Sequence, residues 1–316
     1  MRQLFIILAF IFPYSLLAQQ DPQFSQYMMN PFIWNPSFSA LKDDYTLSAH
    51  HRSQWVGYSP SNSADKISPP STQLFTFTAP LKKMNSGAGF GLMNDNLGPV
   101  RNLNATFSYA YGIRLGTGKL VGGLGIGVQS MYINTDLWRP ENTNDPLLAP
   151  SGIENKINPN AKLGFGYATE RLFVGFSVNN VITPTFTFKS DRLKNRLERH
   201  YYLQASYQIL LSERVTLQPS AIFKVVENVR SAEFSSLIFL DNLWTGLAYR
   251  TSDALTMLVG TCIFPDKSLK VGYNLDLSVI NKSAKSLTSH EIFLSYNLAS
   301  FLDNRKPIIR TPRFRY

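Results

Sequence analysis

Cysteine is almost absent from this chain: Cys262 stands alone among 316 residues. That excludes an intrachain disulfide framework and any metal site built from cysteines. Charge is scarce too. Asp, Glu, Lys and Arg make up 16 % of the sequence, against about a quarter in an ordinary soluble domain. Hydrophobic residues reach only 44 %, which is low for a helical membrane protein. Beyond residues 1–18 there is no apolar run of about 18 residues, so no transmembrane helix is expected. Acidic residues are outnumbered, giving a formal charge of +10. Alone, that would suit nucleic acid or the phosphates of an outer leaflet.

What is plentiful is aromatic surface, 13 % of residues, together with 19 glycines. Both suit a β-barrel. Residues 1–18 read as a signal peptide: Arg2 supplies the charge, Leu4 to Leu17 the apolar core, and Ala18 the small residue before Gln19. No cysteine follows Ala18, which argues against lipoprotein processing. An exported chain without a membrane helix spans a bilayer only as a closed barrel.

From Tyr45 onward the side chains alternate with period two. Leu103, Ala105, Phe107, Tyr109, Tyr111 and Ile113 share one face, while Asn102, Asn104, Thr106, Ser108, Gly112 and Arg114 share the other. Leu203, Ala205, Tyr207 and Ile209 oppose Gln204, Ser206 and Gln208 in the same way. Leu269, Val271, Tyr273, Leu275 and Leu277 oppose Lys270, Gly272, Asn274, Asp276 and Ser278. One apolar face and one small or polar face make the lipid-out, lumen-in pattern of a membrane barrel. A soluble β-sandwich also alternates, but its outer face would be largely charged. Counting such segments predicts an all-β, antiparallel up-and-down barrel of about 14 strands over residues 45–300, with strands near the 9–11 residues that cross a bilayer. Every second connection is brief. The long ones, 55–70, 135–159, 180–198 and 278–288, fall in the other set, as expected for short periplasmic turns and long external loops.

Chemistry-bearing residues are few. Gly87, Gly89 and Gly91, then Gly122, Gly123, Gly125 and Gly127, resemble a nucleotide loop only superficially, because they sit inside alternating strands rather than before a helix. They predict a smooth lumen wall that another backbone approaches closely. His50 and His51 point to opposite faces of a strand and hence do not share a metal. His290 beside Glu291 reads as a satisfied polar pair, and Cys262 as a small lumen filler. No nucleophile elbow or zinc-binding helix occurs. No catalytic residue, cofactor or metal ligand is therefore assigned, and the chain is not expected to be an enzyme. Arg192, Arg196 and Arg199 recur at helical spacing in the run 191–200. They predict either a short amphipathic helix facing lipopolysaccharide phosphates or an acidic partner, or a solvated loop. Loop 135–159 lacks a calcium-loop spacing. The basic tail 301–316 would lie in the periplasm, where nucleic acid is not a partner.

One stretch fits none of this. Residues 20–40, QDPQFSQYMMNPFIWNPSFSA, hold two Asn-Pro pairs that disfavour helix, Asn30-Pro31 and Asn35-Pro36, and a heavy aromatic load. Such a load must pack on something larger. Asp21, Pro22, Gln23, Phe24, Gln26, Tyr27, Asn30 and Pro31, followed by Trp34, Asn35 and Pro36, form a pattern that resembles the amino terminus of the PorP/SprF family. Further pieces in the same order strengthen the resemblance: Pro219-Ser220 with Lys224, Trp244 to Arg250, Ser289 to Ile292, and Thr311-Pro312-Arg313-Phe314. Thr311 stands where the family has Ser, and two residues follow Phe314. That family comprises outer-membrane proteins of the type IX secretion and gliding machinery of Bacteroidetes. The resemblance implies a non-enzymatic barrel whose partners are type IX components, the C-terminal domain of a secreted adhesin, or both. Membrane lipid and lipopolysaccharide would surround it. An outer-membrane porin or solute transporter is the competing reading. Residues 19–44 are expected to form a plug-like segment in the lumen or at its periplasmic mouth, with Phe24, Tyr27 and Trp34 buried against the inner wall. Both termini are expected in the periplasm.

Overall fold

The computed structural model describes residues 21–42, 44–57, 69–137, 152–188, 194–251, 253–279 and 286–298. Residues 1–18, expected to be a signal peptide, and residues 301–316, with Pro312, Arg313 and Phe314, lie outside these residues. Fourteen antiparallel strands close into a barrel. In chain order they are β1 (Thr46–Ser53), β2 (Ser71–Leu81), β3 (Ser86–Leu97), β4 (Val100–Leu115), β5 (Gly118–Asn134), β6 (Ile153–Ala168) and β7 (Leu172–Asn179). There follow β8 (His200–Tyr207), β9 (Val215–Val226), β10 (Val229–Leu240), β11 (Leu243–Arg250), β12 (Ala254–Cys262), β13 (Leu269–Ser278) and β14 (Thr288–Asn297). Beyond Gln208, Ile209–Leu210 continues the pairing of β8 with β9. Each strand pairs with its neighbour in sequence, and β1 pairs with β14 from Thr46↔Asn297 to Ser53↔His290, which leaves no open seam.

The expected alternation decides which face looks where. On β4 the side chains of Leu103, Phe107, Tyr109, Tyr111 and Ile113 point outward and exposed, while Asn104, Thr106, Ser108 and Ala110 are buried inside. The apolar belt is thus on the outside. Among the described residues no helix is long and apolar enough to cross a membrane, so the strands are what span it. All the long connections (54–70, 135–152, 180–199 and 279–287) leave from one end of the barrel. The opposite end carries the brief ones. At 241–242 the turn is so tight that Asp241 takes a positive φ of 51°, a conformation that Asp and Asn tolerate better than most residues.

Four local expectations are corrected. The run 191–200 does not form a helix where it is described: Lys194–Arg196 is a short strand paired with Thr185–Thr187. Phe186, Phe188 and Leu197 of this hairpin pack with Met131 and Ile133 on the inner face of β5; that burial overrides the helical spacing of the arginines. Arg192 lies outside the described residues, while Arg196 and Arg199 are exposed. His290 and Glu291 are not a pair. As adjacent strand residues they point to opposite faces: His290 bonds the Tyr273 hydroxyl on the outer wall at 2.6 Å, and Glu291 is buried inside. Gly122 falls on the outer face of β5 between Leu120 and Leu124, not on the lumen wall with Gly123, Gly125 and Gly127. Finally, β6 begins at Ile153, whereas alternation suggested residue 160, because polar Glu154, Asn155 and Lys156 disguise its first half as loop.

Candidate functional site in the filled lumen

The inner wall is polar, yet the lumen is not open. The segment 21–42 runs through it as two 3-10 turns, Pro31–Ile33 and Pro36–Ala40. Each begins with an asparagine before a proline. Proline suits the first position of a turn because its missing N–H has no partner there anyway. Asn35 caps the second turn by accepting from the Ser37 N–H at 3.0 Å. Its amide then donates to the wall carbonyls of Phe165 (2.9 Å) and Phe176 (3.3 Å). Asn30 donates to Thr76 Oγ1 at 2.9 Å and meets His50 Nε2 at 3.3 Å. Both Asn-Pro pairs are therefore fasteners to the barrel as well as helix breakers.

Glycine on the wall makes this approach possible. A Cβ on Gly87 would collide with the Ser39 carbonyl, and one on Gly123 with the backbone between Pro36 and Ser37. Phe24, Tyr27, Met28, Ile33 and Trp34 form an apolar cluster with Leu74, Tyr202, Ile222, Leu237, Trp244 and Leu258 of the wall. Phe24 is 0 % and Trp34 2 % exposed. Trp34 stacks obliquely on Tyr202 with ring centroids 4.9 Å apart, and Lys224 Nζ lies 4.8 Å from the indole centre, within cation–π range.

The densest chemistry surrounds Ser25. Its hydroxyl receives Arg52 Nη1 at 3.1 Å and Arg250 Nη2 at 2.8 Å, and donates to Asp276 Oδ2 at 2.8 Å. Its backbone N–H donates to Glu291 Oε2 at 2.9 Å. Arg52 also pairs with Asp276 (2.6 Å) and Glu291 (3.3 Å), while Arg250 pairs with Glu233 (2.8 Å) and Asp253 (3.0 Å). Gln26 extends the network to Asn274 at 2.8 Å and Gln23 accepts from Lys224. Tyr27 reaches Ser235 at 3.0 Å. The buried cations Arg52, Lys224 and Arg250 stand against the buried carboxylates Glu233, Asp276 and Glu291, so formal charge cancels. Unpaired, each would be costly to bury.

At the start of the segment, Asp21 accepts from the Tyr202 hydroxyl at 2.7 Å and lies 4.0 Å from His200. Burial works to raise the Asp21 pKa, but His200, the Tyr202 hydroxyl, Lys162 and Lys224 together hold it below the usual carboxylate value. His200 opens β8 next to the connection 180–199, so Asp21 belongs to the half of the barrel with the long connections. Ala40 lies at the other end, where Lys119 at the start of β5 donates to its carbonyl at 2.6 Å. The segment therefore traverses the lumen from one half to the other. Pro22 lines a residual chamber with Phe32, Trp34, Asn104 and Lys162, whose roughly 40 Å³ has room for a few waters.

Of the candidate residues named from sequence, Asp21 through Pro36 and Arg250 converge inside the barrel. Sequence reasoning missed Ser25, Arg52, Glu233, Asp276 and Glu291. The signal was present: charges inside membrane strands, always on the polar parity, mark function by default.

Residues 16–296 match the family described as "Type IX secretion system membrane protein PorP/SprF". No curated protein matches the chain. Among solved structures, the TodX deltaS2S3 mutant monoaromatic hydrocarbon channel is similar with a TM-score of 0.50 at 10 % identity, over 87 % of this chain and 94 % of that one. A Pseudomonas aeruginosa FadL homologue gives a TM-score of 0.47 at 10 % identity, covering 83 % and 92 %. The Acinetobacter baumannii outer membrane protein Omp33 gives 0.44 at 9 % identity, covering 80 % and 98 %. At such identities the likeness concerns the barrel fold alone. The chain belongs to the PorP/SprF family, whose members are membrane proteins of the type IX secretion system.

Proposed function

Starting from that membership, we propose that this outer-membrane barrel is a non-enzymatic subunit supporting secretion or surface anchoring of a large adhesin-type cargo through the cargo's C-terminal domain. The observation that carries the reading is the occupied lumen. A passive porin needs a hydrated conduit, whereas here the charged inner residues are consumed by Ser25, Gln26 and one another, at 0–3 % side-chain exposure for Arg52, Asp276 and Glu291. A rigid filled barrel suits docking better than diffusion. In this reading the long connections face the medium beside lipopolysaccharide, the short turns and the carboxyl tail face the periplasm, and nucleic acid is not a partner. Asp21 then lies in the outward half of the lumen, so the amino end of the segment reaches farther than the periplasmic mouth.

Deletion of the gene followed by proteomics of the cell surface and medium tests this. Loss or release of one large adhesin is the expected result. Loss of every type IX cargo would instead assign a core role in the apparatus, and an unchanged surface would overturn both.

A further inference from the structure

The fourteen strands carry their acids on one parity only. Asp95, Glu154, Glu233, Asp276 and Glu291 all alternate with the outward residues, so no strand bears a carboxylate on its outer face. Cations do occur there: Arg101 on β4 and Arg230 on β10, both at the end with the long connections. The outer wall is thus positive at one end and has no acid of its own to balance it.

Around Arg101 the polar side chains are ordered into a row across β1 to β4. Arg101 Nε donates to Asn94 Oδ1, and Asn94 Nδ2 donates to Gln73 Oε1, each at 2.6 Å. Gln73 Nε2 turns to His51 Nδ1 at 3.4 Å and to Ser71 Oγ at 3.5 Å. With Nδ1 accepting, a neutral His51 keeps its proton on Nε2, beside Ser53 Oγ at 3.2 Å. The bonds all run one way. They engage the oxygens of Asn94 and Gln73 and leave N–H groups over: the second of the Asn94 amide and those on both Nη atoms of Arg101. Among the described residues these groups have no partner, and Arg101 has no ion pair. A donor row that ends in a guanidinium is complementary to an oxyanion, and the guanidinium fork matches phosphate oxygens two at a time.

The height of the row on the wall says what would bring that phosphate. One outward step down their strands, Gln73, Asn94 and Arg101 give way to Phe75, Leu92 and Leu103, all exposed at the rim of the apolar belt. A ligand that lays hydrocarbon on this rim puts its headgroup on the donors. Four neighbouring strands at roughly 4.8 Å spacing make the row about 14 Å wide. That is broad for a single phosphodiester headgroup and suits a phosphorylated sugar bearing several acyl chains.

We propose that His51, Gln73, Asn94 and Arg101 form a binding site for the phosphorylated sugar headgroup of an outer-leaflet glycolipid. Arg101 and Asn94 hold the phosphate, and the acyl chains lie over Phe75, Leu92 and Leu103. The site rests on the orientation proposed above, which brings this end of the barrel to the outer leaflet, and not on the identity of the cargo.

Native mass spectrometry of the purified full-length barrel, freed of lipid by detergent exchange, tests the site without regard to sidedness. Added bisphosphorylated lipid A is expected to give a one-to-one adduct. Removing both phosphates from the lipid, or Arg101→Gln in the protein, should weaken it about tenfold or more, and Asn94→Ala should weaken it less. Arg114→Gln, exposed at the other end of the same strand, should leave it unchanged. Heat-modifiable migration on gels shows that each variant has folded. Phosphatidylglycerol should bind more weakly than lipid A, and equimolar inorganic phosphate should not displace the lipid. No adduct, equal binding of phosphate-free lipid A, no effect of Arg101→Gln, displacement by inorganic phosphate, or equal affinity for phosphatidylglycerol would each overturn the site. None of these results touches the secretion reading, and an unchanged surface proteome in the deletion strain would not touch the site.

Discussion

Ser25 shows how much one small side chain holds together. Its hydroxyl joins two guanidinium groups and a carboxylate that otherwise belong to three different strands. Ser25→Ala leaves those groups one partner short in a site where all of them are buried, at a cost of about 1–3 kcal/mol. The folded-to-unfolded shift on heating should therefore fall by several degrees, read as heat-modifiable migration in detergent. Ala at exposed Ser236, on the outer face of β10, should leave it in place. Asp21 adds a pH dependence to the same docking. Its folded pKa lies below the unfolded value, so its contribution is complete above about pH 4, the ordinary carboxylate value, and is lost as pH falls through the folded pKa. A reporter fluorophore on the segment should show looser docking in that acid range, and Asp21→Asn should remove this component.

At the scale of the element, segment and wall fit as knob and notch. Gly87→Val would place a side chain on the Ser39 carbonyl, and the backbone there has nowhere to go. The segment should leave while the wall stays, because the wall's own ladder at Gly87 is unaffected. Purified barrels should then conduct ions in planar bilayers, where the native chain is expected to conduct little; equal conductance of the two would refute the plug. The aromatic load of 20–40 and the glycine rows made this packing legible in the sequence, since each feature was odd alone and explained by the other. The strands were legible from parity, apart from the polar half of β6. What the sequence could not reveal was partnership across distance. Ser25 and Glu291 are 266 positions apart, and no local pattern announces such a contact. Helical spacing around Arg196 misled because tertiary burial of Phe186 and Leu197 outweighed a weak local preference.

For the whole molecule, the sidedness of the barrel follows from two asymmetries pointing the same way. The long connections gather at one end, and the polar collar of Gln73, Asn94, Arg101 and Ser130 lies toward that same end, where the outer face ceases to be apolar. Outer-membrane barrels keep short turns in the periplasm, so the collar end should face the medium. A single thiol on each side tests this directly. In a Cys262→Ser background, Glu227→Cys lies in a tight turn at the collar end and Asp266→Cys in a turn at the other; both native residues are exposed. A membrane-impermeant maleimide should label the first on intact cells and the second only after the outer membrane is opened. The reverse pattern would turn the barrel over. It would place Asp21 and the long connections toward the periplasm, so that the surface those connections build would meet periplasmic components rather than cargo outside the cell.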